Sequence, residues 1–179
     1  MLAHQLLKEE KMAVREVIAA TIGQIGLPEC SSCFDSLCKC VLKDDEDPNV
    51  KAMAVWALGR LSCPSIASSK LCSRVLISAL KNSYWKVRAA ACTAVAQMGQ
   101  PVAEATLPIL AKLLRDGSVN KQTVAETMIN VGTLGEQCLV QILKSEPENN
   151  HKLRECIVRA LALSNVSTAN IDFVIEILF

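Results

Sequence analysis

The sequence predicts an all-α fold, a right-handed superhelix (solenoid) of about five helical hairpins. Three observations predict it: a helical segment recurs along the chain, small and aliphatic residues dominate, and a helix-ending residue follows most copies. The clearest copy runs from Asp47 to Leu61. When the copies are aligned, one equivalent residue near the start of each serves as a reference position, which we term the anchor. The anchors are separated by 36, 37, 36 and 30 residues, a period typical of helical repeat arrays, and they are Val14, Val50, Val87, Thr123 and Leu153.

Composition supports helices and restricts function. Hydrophobic residues make 51% of the chain but aromatic residues only 3%, which favours closely packed helices over strands. No run of 18 apolar residues occurs, so we expect no membrane span. The net charge of +1 gives no field to attract nucleic acid, and we expect none to bind. Nine cysteines without a secretory signal indicate free thiols and a cytoplasmic or nuclear protein.

The predicted elements alternate between the recurring segment, here called the second helix, and a preceding partner, the first helix. In the second copy, Pro48 is tolerated in the first turn and Asp47 is the expected cap. The second helices are predicted at 12–25, 48–61, 85–98, 120–131 and 150–163. The first helices are predicted at 1–8, 30–42, 71–81, 102–115 (bent at Pro108), 135–144 and 169–179. These pairs make a single array over 1–179, with units at about 1–27, 28–63, 64–100, 101–135 and 136–165 and a partial unit at 166–179.

Three columns of the aligned copies have a physical meaning. Eight residues past the anchor lie aliphatic side chains expected in the core: Ile22, Leu58, Val95, Val131 and Leu161. Nine past it lie small residues that let helices approach closely: Gly23, Gly59, Ala96, Gly132 and Ala162. Twelve past it lie mostly residues that accept the left-handed conformation ending a helix: Gly26, Ser62, Gly99, Gly135 and Asn165.

With paired helices of about 37 residues, a Leu-Pro-x-Leu first helix at Leu107 and a Val-Arg-x-Ala second helix at Val87, the chain resembles HEAT repeats of the armadillo-like superfamily. The resemblance covers nearly the whole chain. It implies an acidic and a basic column forming a structural ladder along the stack. The basic column holds Arg15, Lys51, Arg88, Val124 and Arg154, and six residues earlier lie Glu9, Asp45, Asn82, Ser118 and Glu148. We expect each cation to pair with its carboxylate and to order the loops, whereas unit four lacks both members. The alternative is a ridge that binds acidic ligands.

Metal binding has one candidate. The candidate is a group of four cysteines on one predicted helix, a Cys30-x-x-Cys33 pair with Cys38 and Cys40. Zinc sites of four thiolates usually join two separated segments instead. At about 100° per residue, Cys33 and Cys40 point nearly together while Cys38 faces away. These residues fit a core face, so we expect no metal and no cofactor.

Catalysis has little support in the sequence. Only His4 and His151 are present, and neither belongs to a recognisable catalytic group. Some HEAT-repeat proteins are metal-dependent hydroxylases with repeated His-Glu pairs, and this chain has no His-Glu dipeptide.

The sequence therefore predicts a non-enzymatic scaffold or adaptor that binds a protein or peptide along the concave face of the second helices. Trp56 replaces smaller residues in its column, and Trp85 is either an interface anchor or a cap over the gap between units. The alternatives are a metal-dependent enzyme and a nucleic-acid-associated repeat protein. An apolar terminus at 173–179 adds the expectation of a longer array or of a partner over that end. The expected binding residues are Gln24, Trp56, Arg60, Gln97, Glu126 and Asn130.

Overall fold

The computed structural model describes residues 2–26, 31–147 and 149–163, and within these ranges all regular structure is helical. The predicted last helix and Glu148 lie outside the described residues. Short 3₁₀ turns occur at Ser31–Cys33 and Gln100–Val102. The α-helices are α1 (Leu2–Lys8), α2 (Met12–Ile25), α3 (Phe34–Leu42), α4 (Pro48–Arg60), α5 (Pro64–Ala67), α6 (Lys70–Leu80), α7 (Trp85–Met98), α8 (Ala103–Asp116), α9 (Lys121–Asn130), α10 (Thr133–Ser145) and α11 (His151–Leu163).

The helices stack in two layers. The first helices α1, α3, α6, α8 and α10 each contact the next in one layer, and the second helices α2, α4, α7, α9 and α11 do so in the other. Each second helix also packs against the first helix of its own unit. The predicted all-α solenoid is confirmed. None of the helices in the described ranges is both long and apolar enough to cross a membrane.

The aliphatic column of the second helices forms the centre of the core, as predicted. Burying one such side chain contributes about 1.5–3 kcal/mol, so the column supplies much of the cohesion between the layers. Its members are at most 1% exposed: Ile22, Leu58, Val95, Val131 and Leu161.

The start of α4 confirms the predicted cap. Asp47 Oδ1 accepts hydrogen bonds from the backbone N–H groups of Asn49, at 2.8 Å, and Val50, and Pro48 occupies the first helical position. Between the helices predicted at 48–61 and 71–81, Pro64 begins the one-turn helix α5, because proline is again tolerated at the first position of a helix. In α8 the helix continues through Pro108.

Unit four departs from the predicted helix-ending column. Gly26 and Gly99 follow their helices with φ of 73° and 68°, as expected. In unit four, however, Gly132 adopts the positive φ, at 101°, and Gly135 lies inside α10. A Cβ on Gly135 would collide with the backbone carbonyl of Met128. Gly132, predicted in the small-residue column, adopts the positive φ predicted for Gly135, and Gly135 instead packs closely inside α10. The reason is that α9 is short, so the turn after it comes three residues early.

The small-residue column permits close approach of consecutive second helices. A Cβ built on Gly23 would lie 2.5 Å from Trp56 Cζ3 and 3.0 Å from the Cα of Ala57. A Cβ on Gly59 would lie 2.8 Å from the Cα of Ala94. Glycine at these positions therefore brings α2 onto α4 and α4 onto α7.

Candidate functional site

Both tryptophans line one cleft in the layer of second helices, where α2, α4 and α7 meet. We term it the Trp cleft, and its volume is about 240 Å³. Its walls are largely apolar, with polar side chains at the edge. The lining residues are Glu16, Asn49, Ala52, Met53, Trp56, Trp85, Lys86, Ala89 and Ala90.

The cleft exists because alanine occupies the position two residues past the anchor in α4 and α7, and the next position as well in α7. Ala52 on α4 and Ala89 and Ala90 on α7 leave space between the two helices. The larger Trp56 and Trp85 border that space. Small residues beside large ones thus produce an opening that closely packed repeats lack.

The two tryptophans differ in how firmly they are held. Trp56 is half-buried, and its six-membered ring lies on α2 over Gly23. Trp85 is the first residue of α7, and 59% of its surface is exposed. An apolar patch is more informative than a single exposed side chain, and Trp85 shares its cleft with Trp56, so both tryptophans are candidate contact residues.

Opposite charges lie at the edge of the Trp cleft. Glu16 comes from α2, and the salt bridges found among the described residues do not include it. Lys86 comes from α7, and its Nζ donates to Asn49 Oδ1 at 3.4 Å. The cleft therefore has an acidic side and a basic side around an apolar centre.

The predicted binding residues all lie on second helices but not in one place. Trp56 is in the Trp cleft. Three others are exposed, each ten residues past its anchor near the end of its helix: Gln24, Arg60 and Gln97. Glu126 and Asn130 line a separate depression of about 210 Å³ between α9 and α11.

Sequence reasoning missed Glu16, Met53 and Lys86, and it left Trp85 out of the binding set. A signal was present in the alignment, since Ala52 and Ala89 lie two residues past their anchors and Glu16 lies at the same place in the first copy. That these positions line one cleft with both tryptophans comes only from the structure.

Comparison with known proteins agrees with this architecture. The model of the HEAT repeats family matches residues 34–130, more than half of the chain. The chain belongs to the HEAT-repeat family. The crystal structure of an engineered protein from the Northeast Structural Genomics Consortium superposes on this HEAT array with a TM-score of 0.57 and 20% identity, covering 90% of this chain and 76% of the other. At that identity the likeness shows the fold alone. No curated protein matches the chain significantly.

The ladder of this HEAT array uses different partner atoms from those predicted. Arg15 does not pair with the carboxylate of Glu9; its Nη1 donates to the backbone carbonyls of Glu9, at 2.9 Å, and Glu10. Its Nε and Nη2 bind the carboxylate of Glu46 in the next unit, the closest contact being 2.6 Å. The Glu46 side chain is only 3% exposed. Arg15 therefore links two units, which the predicted pairing within one unit does not.

The other cations also bind backbone carbonyls. Arg88 donates to Asn82, Ser83 and, across to the next unit, Ser118, each at 2.7 Å. Arg154 donates to the carbonyl of Glu146 at 3.2 Å.

Unit two follows the same rule. Lys51 Nζ lies 3.5 Å from the carbonyl of Asp44, whereas Asp45 pairs with Lys43 on the surface. The carbonyls that Arg15, Lys51 and Arg88 contact lie in the turns after first helices, outside the helical hydrogen-bond pattern, so a cation is a natural partner for them. The cations of the basic column therefore bind backbone carbonyls within the array, and the acidic partners predicted for Arg15 and Lys51 are wrong.

Unit four, predicted to lack the ladder, has a substitute. Lys121 Nζ donates to the carbonyls of Leu114, at 2.7 Å, and Arg115, at 2.9 Å. Lys121 lies one helical turn before Val124, the residue in the basic column, so its side chain reaches the same loop. Unit four therefore has a cation bound at this loop, although Val124 occupies the basic column.

Three of the four cysteines considered as a metal site lie in the core. Cys33, Cys38 and Cys40 are buried, and Cys30 lies outside the described residues. Burial raises the pKa of the Cys38 and Cys40 thiols from 9.0 to about 12, which suppresses the thiolate that a metal or a redox reaction requires. Over the described part of the chain, no group of three or more metal-ligating side chains comes together.

Proposed function

We propose that this HEAT-repeat chain is a non-enzymatic scaffold or adaptor that binds a protein or peptide along the face of its second helices. The observation that carries the proposal is the Trp cleft, where both tryptophans of the chain line one apolar opening. Tryptophan is enriched among residues that dominate interface energetics, because a rigid ring buries much area at little entropic cost.

The wider face supplies a polar surround of the kind that protein interfaces have. We propose that Trp56 is the anchor of this face and that exposed polar side chains extend the contact along the stack. They are Gln24, Arg60, Gln97, Glu126 and Asn130. This layer would be the concave one of a single array over 1–179.

Two other functions make different predictions. A metal-dependent enzyme would purify with stoichiometric iron or zinc, and a nucleic-acid binder would lose affinity steeply with salt. The buried thiols and the balanced charge favour neither. A scaffold of this kind would work in the cytoplasm or nucleus, where free cysteines persist.

The test is a quantitative affinity purification from cell extract. Wild type would be compared with a Trp56→Ala, Arg60→Glu variant and with Lys112→Glu, an exposed position on α8 in the opposite layer. We expect a partner that is lost in the first variant and retained in the second. A partner lost only in Lys112→Glu would contradict the proposal.

A further inference from the structure

From the charges around the Trp cleft we infer which partner segment it takes. It is a peptide with one large apolar side chain, flanked by a basic residue on the Glu16 side and an acidic residue on the Lys86 side. This inference rests on the proposed function and specifies its ligand.

The size of the cleft favours a single side chain. Pockets for drug-sized ligands occupy about 300–1,000 Å³, and the Trp cleft, at about 240 Å³, is smaller. Three of its lining residues are Ala52, Ala89 and Ala90, whose side chains are methyl groups. A leucine, methionine or aromatic side chain entering between Trp56 and Trp85 would bury its apolar surface without leaving a polar group unpaired.

The order of charges follows from the helix positions. Glu16 lies on α2 and Lys86 on α7, with α4 between them in the layer. A segment lying across α4 would therefore meet the carboxylate at one edge and the ammonium at the other. Because Lys86 has a neutral hydrogen-bond acceptor in Asn49, its charge is not compensated there. Complementary charges on the peptide would fix its direction more than its affinity.

A cage for an alkylated ammonium is the strongest competitor, because two tryptophans and a carboxylate suit a cation. Lys86 argues against it, since a second cation at the edge repels one bound in the centre. Met53 and the three alanines add apolar surface with no attraction for charge.

The experiment is selection from a phage-displayed random peptide library on the full chain. Four proteins would be used: wild type, Glu16→Lys, Lys86→Glu, and Trp56→Ala with Trp85→Ala. Circular dichroism would first establish that each is helical to the same extent. On wild type we expect enrichment of an apolar anchor with Lys or Arg on one side and Asp or Glu on the other, each enriched at least fivefold.

The charge variants separate the inference from the proposed function. Glu16→Lys should turn the basic preference into an acidic one, and Lys86→Glu should turn the acidic preference into a basic one. Peptides that require both tryptophans but keep the same charges in the two variants would overturn the inference and leave the scaffold function intact. Selection of Lys or Arg in place of the apolar anchor would overturn it too. Failure to enrich any tryptophan-dependent peptide would overturn both.

Discussion

Trp56 packs directly on Gly23, so that a single methyl group added to this glycine would come within 2.5 Å of the indole ring. The glycine belongs to the small-residue column of the repeat, and the tryptophan is a wall of the Trp cleft. The packing that joins units one and two thus also fixes the position of the candidate contact surface.

Gly23→Ala tests this relationship. Alanine is the better helix former by about 1 kcal/mol, but overpacking costs about 1–3 kcal/mol, so we expect a net loss of roughly 1 kcal/mol. Urea denaturation followed by tryptophan fluorescence would measure it, and the native spectrum should shift because the ring must move. In a Trp56→Ala background the same change should cost less. Equal costs in both backgrounds would show that the ring is not the obstacle.

Glu46→Gln tests the link between units one and two. The buried Glu46 carboxylate holds the Arg15 guanidinium and also accepts from the backbone N–H of Asp47 at 3.0 Å. Hydrogen bonds to charged groups contribute about 1.5–3 kcal/mol, so we expect a loss of that size in the free energy of unfolding. Asp45→Asn is the control, because its pair with Lys43 is exposed and worth about 0.5 kcal/mol or less. Similar losses in the two variants would contradict this account.

Arg15 binds a carboxylate of the next unit, whereas Arg88 binds only backbone carbonyls, and Val119→Glu tests the reason for this difference. Val119 precedes the capping Asn120 as Glu46 precedes Asp47, and Arg88 Nε is buried with no partner in the described structure. A carboxylate at 119 should bind it. Since Val119 is itself buried, the informative quantity is the coupling with Arg88→Met in a double-mutant cycle, expected at about 1–2 kcal/mol. A coupling near zero would show that the two junctions are not equivalent.

The buried thiols predict instability in alkali. Burial raises the pKa of Cys40 and Cys92 from 9.0 to about 12, so above pH 9 the unfolded chain loses thiol protons that the folded chain keeps. The free energy of unfolding should then fall between pH 9 and 12, by up to about 1.4 kcal/mol per pH unit for each such thiol.

Urea denaturation at several pH values would measure this slope. Below pH 9 it should vanish, because both states hold these protons. The variant Cys40→Ala, Cys92→Ala should show a shallower decline. Cys63→Ala is the control, since that thiol is only partly buried and a hydrogen bond with Ser65 lowers its pKa. A slope unchanged in the double variant would assign the alkaline transition to other groups.

Much of the architecture could be predicted from the sequence because its determinants are local. The bounds of α2 and α7 follow from 3.6-residue periodicity and the glycine stops, and the start of α4 follows from Asp47 and Pro48. The burial of the aliphatic column could be predicted equally well, because each of its residues is covered by its own unit and the neighbouring units.

The remainder depends on contacts between units, which spacing alone does not give. The family pattern places Arg15 six residues after Glu9, but the bond to Glu46 spans 31 residues and depends on how α2 lies on α4. In unit four Val124 occupies the basic column, and Lys121, one turn earlier, supplies the cation instead. An alignment by position alone therefore shows no cation in this unit. Predicting the Trp cleft also requires knowing how the units pack together, since Glu16 and the two tryptophans come from three different units.

The most direct test of the scaffold account is the affinity of the best selected peptide for three proteins, measured by isothermal titration. These are wild type, the Trp56→Ala, Trp85→Ala variant and the opposite-layer variant Lys112→Glu. Hot-spot residues typically contribute about 2 kcal/mol or more each, so we expect binding to weaken about 1,000-fold in the tryptophan variant. In Lys112→Glu it should stay within about twofold of wild type. Unchanged affinity in the tryptophan variant would place the binding surface elsewhere on the array and contradict the account.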